Sequence, residues 1–402
     1  MRKKVCIGDL GTVVTGKTPS KSNKAFYGDY ALFLKPTDIS ECCKFTYKTE
    51  EMFSQLAADK FASSLIPKGA ICIPCIGTIG TKMTMSHCEC YTNQSINSII
   101  CNDKYDNEYV YYLMKNFLPN LKSYNLGTAS GREFISKSNF EKIEIVAEQD
   151  KNIQNEIGKF LSRYDSLIEN YQKQIKLLEE SAQRLYKEWF IDLRFPGHEN
   201  TQIVDGVPEG WEKKKVGDIV KIKSGYAFKS KDWQKQGCPV VKIKDISGVF
   251  VNRDSLDYVS SNVVLKAQQY LLNKMDLVIA MTGATIGKIG LITDDGLYAN
   301  QRVGKFFSQN TIDVPYLYCF FKQTASIEQI VQISSASSAQ PNISGSQLES
   351  LEILYNVNIL KEFNLKCYKY FRQMIHLYSQ IHHLTEARDR LLPKLMSGEI
   401  EV

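Results

Sequence analysis

The sequence predicts an α+β chain in which two tandem mixed α/β domains are separated by two long helices paired as an antiparallel coiled coil. Three observations lead there. The chain has 402 residues, beyond the size at which one hydrophobic core keeps growing. Short motifs recur at a spacing of about half its length. Each copy closes on a long apolar run with heptad spacing.

The repeat is read from six matches. Gly8-Asp9, a strand-like run and Gly16 open the first copy, and Gly217-Asp218 and Gly225 open the second. Lys35-Pro36-Thr37-Asp38-Ile39-Ser40 matches Lys242-Ile243-Lys244-Asp245-Ile246-Ser247 at an offset of 207. Thr78-Ile79-Gly80 with Thr285-Ile286-Gly287, and Asn93-Gln94 with Asn300-Gln301, keep that offset. Tyr109-Val110-Tyr111 with Tyr316-Leu317-Tyr318 keeps it too, and Ile143-Glu144-Ile145 meets Leu351-Glu352-Ile353 at 208. So many matches in one register indicate duplication.

In the first apolar run, Ile157, Leu161, Tyr164, Ile168, Tyr171, Ile175, Leu178, Ala182, Leu185 and Trp189 alternate four- and three-residue steps. Adding 206 gives Phe363, Cys367, Tyr370, Met374, Leu377, Ile381, Leu384, Arg388, Leu391 and Leu395. Only Arg388 is out of place in an apolar seam. Such runs mark coiled-coil helices, each about 45–50 Å long at 1.5 Å per residue. Matching seams predict that the two helices pair with each other; the alternative is that each lies on its own domain. At Arg388 either the pairing opens or the guanidinium meets an acid on a partner. Pro393 is expected to end the second helix or kink it one turn from its end.

The mixed parts read as short strands broken by Gly and Pro turns, and Phe195-Pro196-Gly197 to Trp211 reads as a turn-rich linker. The expected organisation is a first domain over 1–150, a central helix over 151–195, a linker over 196–207, a second domain over 208–356, and a C-terminal helix and tail over 357–402.

Composition narrows the class. With 43% hydrophobic and 23% charged residues, extensive disorder is excluded. No apolar run reaches membrane-spanning length, and basic Met1-Arg2-Lys3-Lys4 leads into Gly8-Asp9 rather than a signal core, so a cytoplasmic location away from membranes is expected. The net charge of +6 is too mild to decide a partner. Eleven cysteines, eight of them before residue 150, read as free thiols. A zinc site from Cys72, Cys75, Cys88 and Cys90 with His87 conflicts with a strand that would point Cys72 and Cys75 to opposite faces. No metal is expected.

Chemistry-bearing motifs are missing from the sequence. It contains no GxxxxGK[ST], HExxH, EF-hand loop or strand–GxSxG elbow. It contains no Pro-Pro, which rules out the Asn/Asp-Pro-Pro-aromatic motif of adenine methyltransferases. Gly77-Thr78-Ile79-Gly80 and Ala284-Thr285-Ile286-Gly287 read as tight turns, not nucleotide cradles. No catalytic residue and no cofactor are expected.

One set of stretches carries a resemblance. It comprises Gly8-Asp9 with Gly16-Lys17-Thr18-Pro19-Ser20, Gly77 to Gly80, Leu185-Tyr186-Lys187-Glu188-Trp189-Phe190-Ile191-Asp192-Leu193-Arg194-Phe195-Pro196-Gly197, Pro208-Glu209-Gly210-Trp211 with Gly217-Asp218, and Arg388 to Ile400. Together they resemble the specificity subunits of type I restriction–modification systems, over essentially the full chain. The resemblance implies two target-recognition domains, each reading one half of a bipartite, asymmetric site on double-stranded DNA. It implies that the paired helices fix the gap and dock two DNA-methyltransferase (modification) subunits, with restriction (endonuclease and translocase) subunits joining that core. A rod of the expected length matches the axial reach of about 13–15 base pairs at ~3.4 Å per step.

Candidate contacts follow. Lys17, Thr18, Ser20 and Lys21 in the first copy, with Ser224, Lys229, Ser230 and Lys231 in the second, sit in loops suited to phosphates. Loops 127–132 and 334–342 occupy corresponding places before Ile135-Ser136 and Ile343-Ser344. There Arg132 is expected to contact guanine, and Gln340 or Asn342 adenine; a plain surface loop touching phosphate or solvent is the other reading. Asn93-Gln94 and Asn300-Gln301 recur in both copies, which argues for a shared structural or backbone-contact role. The competing functions are a specificity subunit of a methylation-only or related system, and a two-headed coiled-coil protein adaptor.

Overall fold

A computed structural model of the chain describes residues 1–125, 127, 133–307, 313–335 and 341–402. It divides into two compact units, Met1–Asn170 with Ile381–Val402, and Tyr171–Gln380. Both units mix strands with helices, as predicted.

In the first unit a four-stranded sheet runs in the order Gly11–Thr15, Ile96–Cys101, Ile71–Pro74, Thr84–Met85, with every pair antiparallel. A smaller sheet sets Tyr27–Leu34 between antiparallel Met52–Phe53 and parallel Cys90–Thr92. Arg2–Cys6 forms a ribbon with Glu144–Glu148. The second unit repeats this order. Lys221–Ser224, Val303–Phe307, Leu277–Ala280 and Ile289–Leu291 form its four-stranded sheet. Cys238–Val241 lies between antiparallel Asp257–Val259 and parallel Leu297–Ala299, and Glu212–Lys215 pairs with Glu352–Tyr355. Trp233–Gln234 and Leu271–Leu272 extend its smaller sheet at the two edges.

The repeated motifs are joints of this frame. A Cβ on Gly16 would lie 2.1 Å from the Thr92 carbonyl oxygen, and one on Gly225 2.2 Å from that of Ala299. Only glycine lets the two backbones cross there, directly before Asn93-Gln94 and Asn300-Gln301. Asp9 accepts the Cys6 N–H at 2.7 Å and Asp218 accepts that of Lys215 at 2.9 Å. Asp38 and Asp245 likewise accept the Lys35 and Lys242 N–H groups, both at 2.8 Å. Each carboxylate satisfies a donor at the start of a short helical turn. Ser136 and Ser344 cap the five-residue helices Lys137–Glu141 and Gly345–Glu349.

The central helix spans Lys151–Tyr186 and ends in a π-turn, Lys187–Ile191; the C-terminal helix spans Val357–Ser397. The latter passes through Pro393 instead of ending there, because a proline this near the end removes a bond only from the last turn. Its final carbonyls, on Leu395 and Met396, accept from the Arg2 guanidinium, both at 2.9 Å.

Inside each unit the two helices pack antiparallel. In the first, Ile157 and Leu161 share a core with Leu392, Leu395 and Met396, while Asp165, further along, meets Arg388. In the second, Phe363 lies 6.0, 6.0 and 5.3 Å from the rings of Tyr186, Trp189 and Phe190. The seam is buried at Ile157, Leu161, Ile168, Ile175, Ala182 and Trp189, but half-buried at Tyr164, Tyr171, Leu178 and Leu185. On the partner helix Phe363, Cys367, Met374, Leu377, Arg388 and Leu395 are buried, and Tyr370, Ile381, Leu384 and Leu391 half-buried. Off-seam residues are buried as well: Tyr186 and Phe190, Phe371 and Ile375. The reason is that each helix also packs on a domain. Leu161 shares its core with Tyr109, Val110 and Leu113. Pairing and domain packing are thus both present, and the buried face is wider than a two-position seam. Among the described residues no helix is long and apolar enough to cross a membrane.

Candidate nucleic-acid interface

In the first unit the end of strand Gly11–Thr15 opens into the loop that carries Lys17 to Lys21. The Lys17 N–H donates to the Thr92 carbonyl at 2.9 Å, and its Nζ donates to Ser63 Oγ at 3.3 Å. The Thr18 hydroxyl donates to Gln94 Oε1, and Ser20 Oγ lies 2.7 Å from Ser22 Oγ. Lys17, Thr18, Ser20 and Lys21 are all exposed. Asn125 Oδ1 accepts from Gly127 N at 2.9 Å and Phe134 N at 2.8 Å, which fastens the base of the following loop. Phe134 bridges Ile76, and Cys75 N donates to the Ser95 carbonyl at 2.7 Å. The turn Asn93–Ser95 therefore brings the Lys17 loop and the root of loop 127–132 to one edge.

The second unit builds the same edge. Tyr226 N donates to the Ala299 carbonyl at 2.8 Å, and Thr282 bridges Asn342. Ser224 is exposed, with Oγ donating to Met281 Sδ at 3.6 Å. Exposed Lys229, Ser230 and Lys231 follow in a turn where Lys229 N donates to Asp232 Oδ2 at 2.7 Å. Asn342 is exposed, and its Oδ1 accepts from Arg302 Nη1 at 3.2 Å. Arg132 and Gln340 lie outside the described residues.

Of the cysteines weighed for a metal site, Cys72, Cys75 and Cys90 are buried and Cys88 is half-buried. Cys72 lies on the strand Ile71–Pro74 and accepts from Ser98 Oγ at 3.3 Å, while burial pushes the Cys75 thiol up to about 12. The His87 ring rests 4.7 Å from that of Tyr47. Among the described residues no three His, Cys, Asp or Glu side chains converge as a metal-holding group.

Several residues that matter structurally were not legible in the sequence. Arg388 neither opens the pairing nor waits for another subunit: it pairs with Asp165 of the same chain's central helix, and its Nη2 lies 2.7 Å from Asp389. Tyr112 donates to the other Asp165 oxygen at 2.5 Å. In the second unit Tyr318 donates to Glu179 at 2.5 Å. Burial first, then the adjacent carboxylate, pushes both tyrosine hydroxyls far up, so they remain donors. The only sequence signal for this was the misfit of Arg388 in the seam.

A family model described as the type I restriction modification DNA specificity domain matches residues 2–180 and 208–355. The type I restriction enzyme MjaIX specificity subunit of Methanocaldococcus jannaschii is 27% identical over 98% of this chain and 93% of its own length. The HindI specificity subunit of Haemophilus influenzae is 35% identical over 43% of this chain and 38% of its own length. The crystal structure of a type I restriction–modification S subunit from M. genitalium shares the fold, with a TM-score of 0.59 at 18% identity, covering 98% of this chain and 96% of that one. With the family model lying on both copies of the repeat, the chain belongs to the DNA specificity subunits of type I restriction–modification systems, whose role is non-catalytic DNA recognition.

Proposed function

We propose that this chain reads a bipartite, asymmetric site on double-stranded DNA, one half with the domain over 1–150 and the other with the domain over 208–356. The helices over 151–195 and 357–402 set the distance between the halves and dock two methyltransferase subunits, which restriction subunits then join; residues 196–207 link the copies. The observation that supports this most is the duplicated edge. The backbone joints at Gly16 and Gly225 are alike, whereas the side chains displayed beside them differ, as two readers of different sequences require. Lys17, Thr18, Ser20, Lys21, Lys229, Ser230 and Lys231 then serve as phosphate contacts, and Arg132, with either Gln340 or Asn342, as base contacts. A net charge of only +6 suits a subunit that shares the DNA with partners. The test is adenine-methylation sequencing of the host genome with and without the gene. One bipartite motif should lose its methylation on deletion; an unchanged methylome would remove the support for this role.

A further inference from the structure

Each unit contains the same junction of three chain segments. In the first, Cys75 N donates to the Ser95 carbonyl at 2.7 Å, Ile135 N donates to the Cys75 carbonyl at 2.9 Å, and Ile76 bridges Phe134. In the second, Met281 N donates to the Arg302 carbonyl at 3.0 Å, Ile343 N donates to the Met281 carbonyl at 3.0 Å, and Thr282 bridges Asn342. The backbones correspond bond for bond. The side chains at the two outward positions do not: Ser95 and Phe134 in one unit stand where Arg302 and Asn342 stand in the other.

Arg302 and Asn342 are both exposed, and one guanidinium nitrogen is already engaged by the amide at 3.2 Å. Among the described residues no carboxylate pairs with Arg302. The neighbouring backbone is pinned further, since the Pro341 carbonyl accepts from Thr282 Oγ1 at 3.0 Å and from Gly283 N at 3.1 Å. This is a planar donor fork in the turn that leads into the strand Val303–Phe307, oriented by a second side chain on a backbone bridge, with donors to spare. Such a fork matches the N7 and O6 acceptors of guanine in the major groove. A phosphate contact would need neither the bracing amide nor a difference between the copies.

We propose that Arg302, positioned by Asn342, reads a guanine in the half-site of the second recognition domain. This deepens the reading above and rests on it.

The experiment is selection from a randomised duplex pool by the chain assembled with its methyltransferase subunits. Wild type should return a bipartite motif. Arg302→Ala should relax one guanine in one half by about tenfold to a hundredfold, leaving the other half and the gap intact. Arg302→Lys should fall between, because a point charge cannot form both bonds. Asn342→Ala, which keeps the arginine, should weaken that same guanine and no other base. An unchanged motif for Arg302→Ala overturns the inference. So does an even loss across all sequences with a shallower salt dependence, the mark of a phosphate contact. Loss of both halves in both variants overturns it in favour of a structural brace. If wild type itself selects no bipartite motif, the two-half-site reading has failed, an outcome distinct from failure at Arg302 alone.

Discussion

The helix crossing inside the first unit and its counterpart inside the second solve one packing problem in opposite ways. In the first, Asp165 and Arg388 are buried together, 8% and 5% exposed, with Tyr112 completing the carboxylate's partners. At the 206-residue offset those positions become Phe371 and Ala182, both buried. There the Phe371 ring meets that of Tyr318 edge-on at 5.1 Å, and the acid has moved to Glu179. A buried ion pair loses in desolvation about what it gains in attraction, so an apolar pair of similar volume is as stable or more so. The difference therefore teaches something about specificity. The ion pair makes the first crossing chemically unlike the second, so each helix segment has one matching partner, as a single polar core position does in a coiled coil.

The largest expected effect breaks that comparison directly. Arg388→Ala leaves Asp165 buried without its cation and should cost about 3–5 kcal/mol in denaturant unfolding of the full chain. Adding Asp165→Phe installs the second unit's residues and should recover most of the loss; a double variant no better than the single would refute the equivalence of the two crossings. The next effect concerns what the units share. Gly16→Val and Gly225→Val each force a Cβ to within 2.1–2.2 Å of a carbonyl oxygen, and each should cost about 1–3 kcal/mol. Unequal melting losses would show that the two joints carry different weight.

The smallest effect is a shared surface pair. Lys35 with Glu50 at 2.7 Å corresponds to Lys242 with Asp257 at 2.9 Å. Hydrogen bonds from Lys35, and from Lys242 and Lys244, hold the Glu50 and Asp257 carboxyls below their ordinary values. A depressed carboxylate stabilises the fold above its unfolded value, and that stability is lost as pH falls through the folded value. Asp257→Asn should therefore cost under about 1 kcal/mol at neutral pH, because the pair is solvent-screened, and nothing once the carboxylate is protonated. A cost that persisted in acid would point to packing rather than charge.

Much of this architecture could be read before any coordinates. The offset of 207 found both copies because the matches are joints: a glycine at a backbone crossing and aspartates capping turns depend on local geometry that tolerates few residue types. The heptad run located both helices, but overstated how narrow their buried face is. Tyr164 and Leu178 fit the spacing and are only half-buried, while Tyr186 and Phe371 lie off it and are buried. Periodicity reports which residues share a stripe; it does not report that a domain covers the flank of that stripe. Among the proposed contacts, the loops at Lys17 and Lys229 were chosen from composition, whereas Arg302 was passed over because nothing local distinguishes it from any surface arginine.

What the sequence determined by itself was duplication, two long helices, the absence of recognisable catalytic motifs and the resemblance that names the family. Each of these is written in spacing or in short motifs, which survive without knowledge of contacts. What only the tertiary structure decided were partnerships between distant residues. Asp165 and Arg388 lie 223 positions apart, and Arg302 and Asn342 lie 40 apart. A buried charge and an oriented guanidinium are defined by what surrounds them in space, and no periodicity along the chain carries that information.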